Sequence, residues 1–136
     1  MWTRLLCAAV VVGGFVGCAW GEEYLNTPYG ELLPGSSEQV GLWWASSGWK
    51  IGRDCPMPQD KGEAVVIRAA RNEAEAAQLV LKPKAAIQRL TVTSGALTGP
   101  AGATIPATSV EILEVRYVHV TQPTDKSAVA GYWPDP

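Results

Sequence analysis

Short apolar runs broken by turn residues constrain the fold of this chain more than any other feature of its sequence. In the middle of the chain, Ala64–Ile67 is apolar and β-branched, and a polar break follows at Arg71–Glu73. From Ala77 to Lys82, apolar Ala77, Leu79 and Leu81 alternate with the other residues at period two. Helix propensity alone favours a helix over residues 69–81, whereas this alternation favours a strand. We predict two strands joined by a tight bend at Arg71–Glu73.

The same pattern recurs along the chain. Val40–Ala45 is aromatic and branched, Leu90–Thr93 alternates apolar with polar residues, and Val110–Thr121 is a long run without Pro or Gly. Each favours a strand. Gly52–Gly62, with two prolines, and the glycine-rich Ser94–Thr104, with its mobile tip, are predicted loops. Six to eight short strands without a convincing long helix indicate an all-β fold, an antiparallel β-sandwich of Ig-like or jelly-roll-like type.

The amino terminus has the features of an export signal. Leu5–Val16 is an apolar run of about a dozen residues after Arg4, which suits a signal-peptide core and is too short for a bilayer span. Cleavage before Glu22 gives a secreted or periplasmic protein. Alternatively, Phe15–Cys18 is similar to a bacterial lipobox, in which case Cys18 is lipidated and anchors the chain at the cell envelope. Both alternatives remain open, and this lipid is the only membrane contact that we expect.

Composition divides the 136 residues into four segments. We predict a signal peptide over residues 1–21, a surface tether over 22–39, the sandwich over 40–121, and an extended Pro-rich linker over 122–136. Two prolines in the last three residues predict a terminus without a closing strand, as in a linker that is cut in mid-course.

Few residues offer catalytic or metal chemistry. The chain has one histidine, His119, and Cys55 is the single cysteine left after processing, so we expect neither a zinc site nor a cofactor. We interpret His119 as a half-exposed strand residue and Cys55 as a partly buried, unreactive thiol, with a reactive thiol as the alternative. A net charge of −2 without a basic run argues against nucleic acid as a partner.

Glu73 and Glu75 are the carboxylates whose spacing most resembles a glycosidase pair. Because they lie beside the predicted bend, we interpret them as solvated turn residues that pair weakly with Arg71. No phosphate-binding loop or nucleophile elbow is present in the sequence. We therefore predict no catalytic residue in this chain.

Tryptophans are the remaining candidates for a binding site. Trp43, Trp44 and Trp49 could stack on sugar rings, as could Trp133, but packing in a core or domain interface is the commoner role. Trp43 and Trp44 are adjacent, so in a strand they face opposite sides and at least one should lie in the core.

Four motifs carry a resemblance to a known family: Val66–Glu73, Ala77–Pro83, Val115–Val120 and Gly131–Pro136. Together they resemble the amino-terminal β-sandwich of bacterial proteins related to glycoside hydrolase family 123, over most of Leu42–Pro136. The resemblance implies that a (β/α)₈ barrel with an adjacent Asp-Glu pair follows the sandwich, the pair working with the substrate's own acetamido group. This chain has no Asp-Glu dipeptide, so no catalytic residue transfers.

Two hypotheses follow from these observations. The first is a non-catalytic accessory domain of an exported, carbohydrate-active protein, packed against a carboxy-terminal catalytic barrel that is missing here. The alternative is a stand-alone extracellular module that binds carbohydrate or mediates adhesion through exposed tryptophans.

Overall fold

A computed structural model describes residues 25–124 and 128–135. In these ranges the chain is rich in strands, forms three small antiparallel sheets rather than a closed barrel, and contains no helix of seven or more residues. The same residues include no helix long and apolar enough to cross a membrane. The predicted signal peptide, with Cys18 and the cleavage site before Glu22, lies outside the described residues.

The first sheet is built around one well-paired strand. β1 (Glu31–Leu32), β2 (Val40–Ser46) and β3 (Ala77–Pro83) are antiparallel in the order β1-β2-β3. The predicted strand at Val40–Ala45 is thus confirmed, because its branched and aromatic residues find a partner on both sides.

Part of the predicted tether belongs to this sheet. β1 lies within the predicted tether. On its side away from β2, the backbone of Leu32 forms two hydrogen bonds with residues 60–62: Leu32 N donates to Asp60 O (2.8 Å), and Gly62 N donates to Leu32 O (2.9 Å). The sequence analysis predicted a surface tether here and missed β1, because the strand is only two residues long and lies between turn-forming residues.

β3 confirms the predicted strand, and its polar side chains rather than its leucines face the interior. Leu79 and Leu81 point outwards and are 53% and 36% exposed, whereas Gln78 and Lys82 turn towards the interior.

The interior position of the polar side chains follows from their hydrogen bonds. Gln78 Nε2 donates to the carbonyls of Ser46 (2.8 Å) and Trp49 (2.6 Å). Lys82 Nζ donates to the carbonyls of Asp54 (3.3 Å) and Cys55 (2.6 Å). They therefore supply donors to backbone oxygens at the end of β2 and in the loop that follows it.

The bend that precedes β3 is also confirmed. Asn72 adopts the left-handed conformation (φ 64°), which asparagine tolerates better than most residues. Glu73 N donates to Ala70 O (3.3 Å), and the Glu73 carboxylate accepts a hydrogen bond from Ala70 N (2.5 Å). The residues therefore form a local turn that is closed by hydrogen bonds between Ala70 and Glu73.

The core lies on the inner face of the first sheet. Trp43 and Ala45 of β2 pack there with Ile51 and Cys55, and each is at most 3% exposed. Gly30 makes this packing possible, because its φ of 112° and its lack of a Cβ let the chain pass directly over the Trp44 carbonyl.

Two further sheets complete the described structure. β4 (Leu97–Thr98) and β5 (Thr104–Ile105) form a small hairpin around a 3₁₀ turn at Pro100–Gly102. β6 (Arg116–Val120) pairs with β7 (Gly131–Asp135). Tyr117 Oη donates to the carbonyl of Ile51 at 3.1 Å, which joins the third sheet to the loop after β2.

Several predicted strands differ from those observed. Ala64–Ile67 and Leu90–Thr93 are not strands, and only Arg116–Val120 of the predicted run Val110–Thr121 is one. Their apolar side chains find no partner strand in the described chain, and Ile67 and Leu90 are 51% and 58% exposed. Conversely, the predicted loop Ser94–Thr104 holds the β4–β5 turn, and the terminus predicted to lack a strand contains β7. β7 forms despite its proline because β6 offers it a pairing edge.

Replacing Trp43 by alanine should destabilise the fold strongly. The substitution leaves a cavity in a small core, and we expect it to lower the free energy of unfolding by about 3–5 kcal/mol. Trp44→Ala, one residue away on the half-buried outer side, is the matched control and should cost clearly less. Urea denaturation followed by circular dichroism measures both, and equal losses would contradict this description of the core.

Candidate functional site

The two glutamates next to the bend serve local structure. Glu73 caps the bend, while Glu75 Oε1 accepts hydrogen bonds from Ser47 Oγ (3.5 Å) and Ala76 N (3.3 Å). Both residues are exposed, as predicted. Among the described residues the salt bridge observed is that between Arg116 and Glu114 (3.9 Å), so the predicted pairing with Arg71 is not seen.

Cys55 lies in the core. It is 2% exposed, and its thiol donates to the carbonyl of Thr27 at 3.2 Å. Burial raises the pKa of the thiol above its ordinary value of 9.0, with the nearby Lys82 charge opposing the shift. A neutral, enclosed thiol is a poor nucleophile, which agrees with the interpretation of Cys55 as unreactive.

His119 takes part in an aromatic cluster on the third sheet. Its ring stacks on Tyr132 across the β6–β7 pair, with centroids 4.6 Å apart, and the Arg53 guanidinium lies 4.9 Å from the centre of the same tyrosine ring. His119 is exposed rather than half-exposed. Within the described part of the chain, no three His, Cys, Asp or Glu residues come together as a metal site.

The structure separates the three candidate tryptophans. Trp43 is in the core at 1% exposure, and Trp49 is half-buried and stacked on Tyr29, with centroids 4.4 Å apart and an angle of 13°. Trp44 lies on the outer face of β2, where its Nε1 donates to Glu31 Oε2 at 3.2 Å. The prediction that Trp43 and Trp44 face opposite sides, with at least one in the core, is therefore confirmed. The fourth, Trp133, donates from Nε1 to the Val129 carbonyl at 2.9 Å.

Trp44 lines an open groove beside β1, which we name the Trp44 groove. Its volume is about 570 Å³. It is lined by Pro28, Tyr29, Gly30, Glu31, Trp44, Ala45, Ser46 and Pro56–Asp60. The sequence analysis found Trp44 but missed Glu31 and Asp60. Glu31 reaches the groove because it pairs with Trp44, and Asp60 reaches it because its neighbour Lys61 pairs with Leu32; neither pairing can be seen in the sequence.

A second concavity of about 290 Å³ lies between the loop after β2 and the third sheet. Arg53 and Asp54 line one side, and Tyr132 lines the other. Arg53 and Asp54 carry opposite charges, and the Arg53 guanidinium lies over the Tyr132 ring.

The outer face of the first sheet is apolar. We define it by Leu42, Trp44, Leu79 and Leu81, which share one side because Leu42 pairs with Leu81 and Trp44 with Leu79. None of the four is fully buried. The first sheet thus has an apolar surface on both sides, and only the inner one is covered by the described residues.

No known protein family, curated protein or solved structure matches the chain. The resemblance to the family 123 sandwich stays a prediction from four motifs, whose described parts fall at the bend and in β3, β6 and β7. The chemistry of the site therefore rests on its own geometry.

Cys55 should react slowly with thiol reagents while the protein is folded. In a chain carrying Cys7→Ser and Cys18→Ser, we expect labelling of Cys55 by iodoacetamide at pH 8 to be on the order of 100-fold slower than in urea, because the thiol is buried and largely protonated. Mass spectrometry over time measures the rate. Equal rates in the two conditions would show that Cys55 is accessible.

Alkaline pH should destabilise the fold. Burial raises the pKa of Cys55 above 9.0 and that of Tyr117 above 10.0. A raised pKa in the folded state gives stability that is complete below the unfolded pKa and is lost as pH rises through the folded one. We expect the urea midpoint to hold to about pH 9 and then to fall, less steeply in Cys55→Ala and, above pH 10, in Tyr117→Phe. The same slope in both variants as in the parent would exclude these two groups.

Proposed function

We propose that this chain is a non-catalytic β-sandwich accessory domain of an exported, glycoside-hydrolase-like protein, and that a further domain packs on its outer face. The observation that carries the proposal is the exposed apolar side of the first sheet. The connection to carbohydrate-active proteins rests on the four motifs, and export rests on the apolar run Leu5–Val16.

Exposed apolar side chains extend well beyond the outer face. Large hydrophobic residues at least 36% exposed occur from Met57 to Tyr132, and they include Ile67, Leu90 and Leu113 at 51%, 58% and 69%. Soluble monomers rarely present contiguous apolar patches larger than a few hundred Å². Covering such surface gains about 25 cal/mol for each Å² removed from water. A partner surface within the same protein is the direct way to obtain that gain.

The inner face supports the sandwich arrangement. Tyr117 of β6 reaches the loop after β2, and its cross-strand neighbour Pro134 is buried. We take the first and third sheets as the two layers of the proposed sandwich, joined through the loop after β2. In that arrangement the outer face of the first sheet is the side available to another domain.

The polar residues support a non-catalytic role. Glu73 and Glu75 hold a turn, Cys55 fills the core, and His119 stacks on a tyrosine. Each side chain that the sequence offered for chemistry is thus engaged in local structure.

The reading frame that follows Pro136 in the source DNA provides a direct test of the proposal. We expect it to continue into a barrel containing an adjacent Asp-Glu pair. A stop codon or an unrelated downstream domain would refute the assignment to a glycoside-hydrolase-like protein.

Replacing both outer leucines should uncouple the domain without unfolding it. In the isolated chain, Leu79→Thr with Leu81→Thr should reduce ANS fluorescence and change the unfolding free energy by less than about 1 kcal/mol, because both side chains are already exposed. In a chain that includes the downstream domain, the same pair should split one thermal transition into two, as measured by calorimetry.

The matched control replaces two exposed aliphatic residues that pair with each other on the second sheet, Leu97→Thr with Ile105→Thr. They are 55% and 52% exposed. These substitutions should leave a single thermal transition. If the control pair splits the transition and the outer pair does not, the outer face is not the contact surface.

A further inference from the structure

The Trp44 groove combines two aromatic rings with hydrogen-bond acceptors. Tyr29 and Trp44 supply the rings, while Glu31, Gln59 and Asp60 supply carboxylate and amide oxygens. No Lys, Arg or His is among the described residues that line it. Its volume of about 570 Å³ is in the range of small-molecule sites, roughly 300–1,000 Å³. These features suit a ligand with apolar ring faces and many hydroxyl donors.

Both rings are held in place before any ligand arrives. Trp44 Nε1 donates to Glu31 Oε2 at 3.2 Å, and Tyr29 is stacked on Trp49 while its hydroxyl is 3.0 Å from Ser46 Oγ. Such preorganisation lowers the conformational entropy that binding must cost.

Gly62 provides the space for the Glu31 carboxylate. A Cβ at position 62 would collide with Glu31 Oε2, so an alanine here would force the carboxylate to move from its present position beside the Trp44 indole. The backbone of Gly62 is itself fixed by its hydrogen bond to the Leu32 carbonyl (2.9 Å).

The same carboxylate sets the groove apart from the aliphatic part of the outer face. Covering Glu31 with an apolar protein surface would strip a charged group of water without giving it a further partner beside the Trp44 indole, which is costly. Sugar hydroxyls can instead donate to it while the C–H face of a pyranose lies on the indole. The groove therefore suits a polyol ligand, whereas Leu79 and Leu81 suit protein packing.

We propose that the Trp44 groove binds a neutral saccharide chain, with Trp44 as the stacking platform and Glu31, Gln59 and Asp60 as hydroxyl acceptors. This activity goes beyond the packing role. Trp44 belongs to both the groove and the outer face, but the packing test changes Leu79 and Leu81 only, so failure of one proposal can be told from failure of the other.

Native affinity electrophoresis of the full chain tests the proposal with four soluble probes: a β-glucan, a xylan, a glucomannan and the cationic saccharide chitosan. We expect retardation by at least one neutral polysaccharide. Trp44→Ala should weaken it about tenfold or more. Leu79→Ala, the cross-strand neighbour on the same face, is the matched control and should leave it unchanged. Circular dichroism checks that each variant is folded.

Two conservative variants separate charge from hydrogen bonding and remain informative if Trp44→Ala does not fold. Glu31→Gln keeps an acceptor oxygen and should retain neutral-saccharide binding within about threefold, while Gly62→Ala displaces the carboxylate and should weaken it about fivefold. Absence of retardation by all three neutral probes would overturn the proposal. So would retardation by chitosan alone that Glu31→Gln abolishes, or equal weakening in Trp44→Ala and Leu79→Ala.

Discussion

The packing of Trp43 against Ala45, Ile51 and Cys55 is the interaction on which the rest of the structure depends. It fixes β2, the strand with a partner on each side, and so fixes the register of the first sheet. Among the described residues, the buried hydrophobic side chains other than proline all lie between Leu25 and Cys55, and none of residues 84–115 is buried. The first part of the described chain therefore supplies the core, while the later part attaches to it by strand pairs and single hydrogen bonds.

The inward-facing polar side chains of β3 explain how the loop after β2 is held. Lys82 and Gln78 each donate to two backbone carbonyls, and together they anchor both ends of the segment from Ser46 to Cys55. Ile51 and Cys55 are thereby positioned beneath Trp43. This arrangement has a structural consequence, since a strand that turns its polar residues inwards must place its leucines on the other side.

Local pattern was sufficient to predict β2, the bend at Arg71–Glu73, β3 and the absence of a long helix from the described chain, since each depends on neighbouring residues. Strand geometry also showed that Trp43 and Trp44 lie on opposite sides. It could not show which side holds the core or which face of β3 turns inwards, because the loop carbonyls that Gln78 and Lys82 satisfy come from distant residues. β7 was missed because its pairing with β6 is not visible from local sequence. The positions of Glu31 and Asp60 in the groove were missed for the same kind of reason. Their positions arise from pairings that leave no trace in the spacing of the sequence.

β3 also lies at the edge of its sheet, with no described strand on its far side. Edge strands in soluble proteins are commonly protected from self-association by charged side chains, by proline or by a covering segment. Lys82, the charged residue of β3, is directed into the loop, and the outward positions hold leucine. The hydrogen bonds that hold the loop therefore withdraw the lysine charge from the outer surface of β3, and Pro83, which has no backbone N–H to donate, is the feature of this strand that still disfavours pairing with another chain.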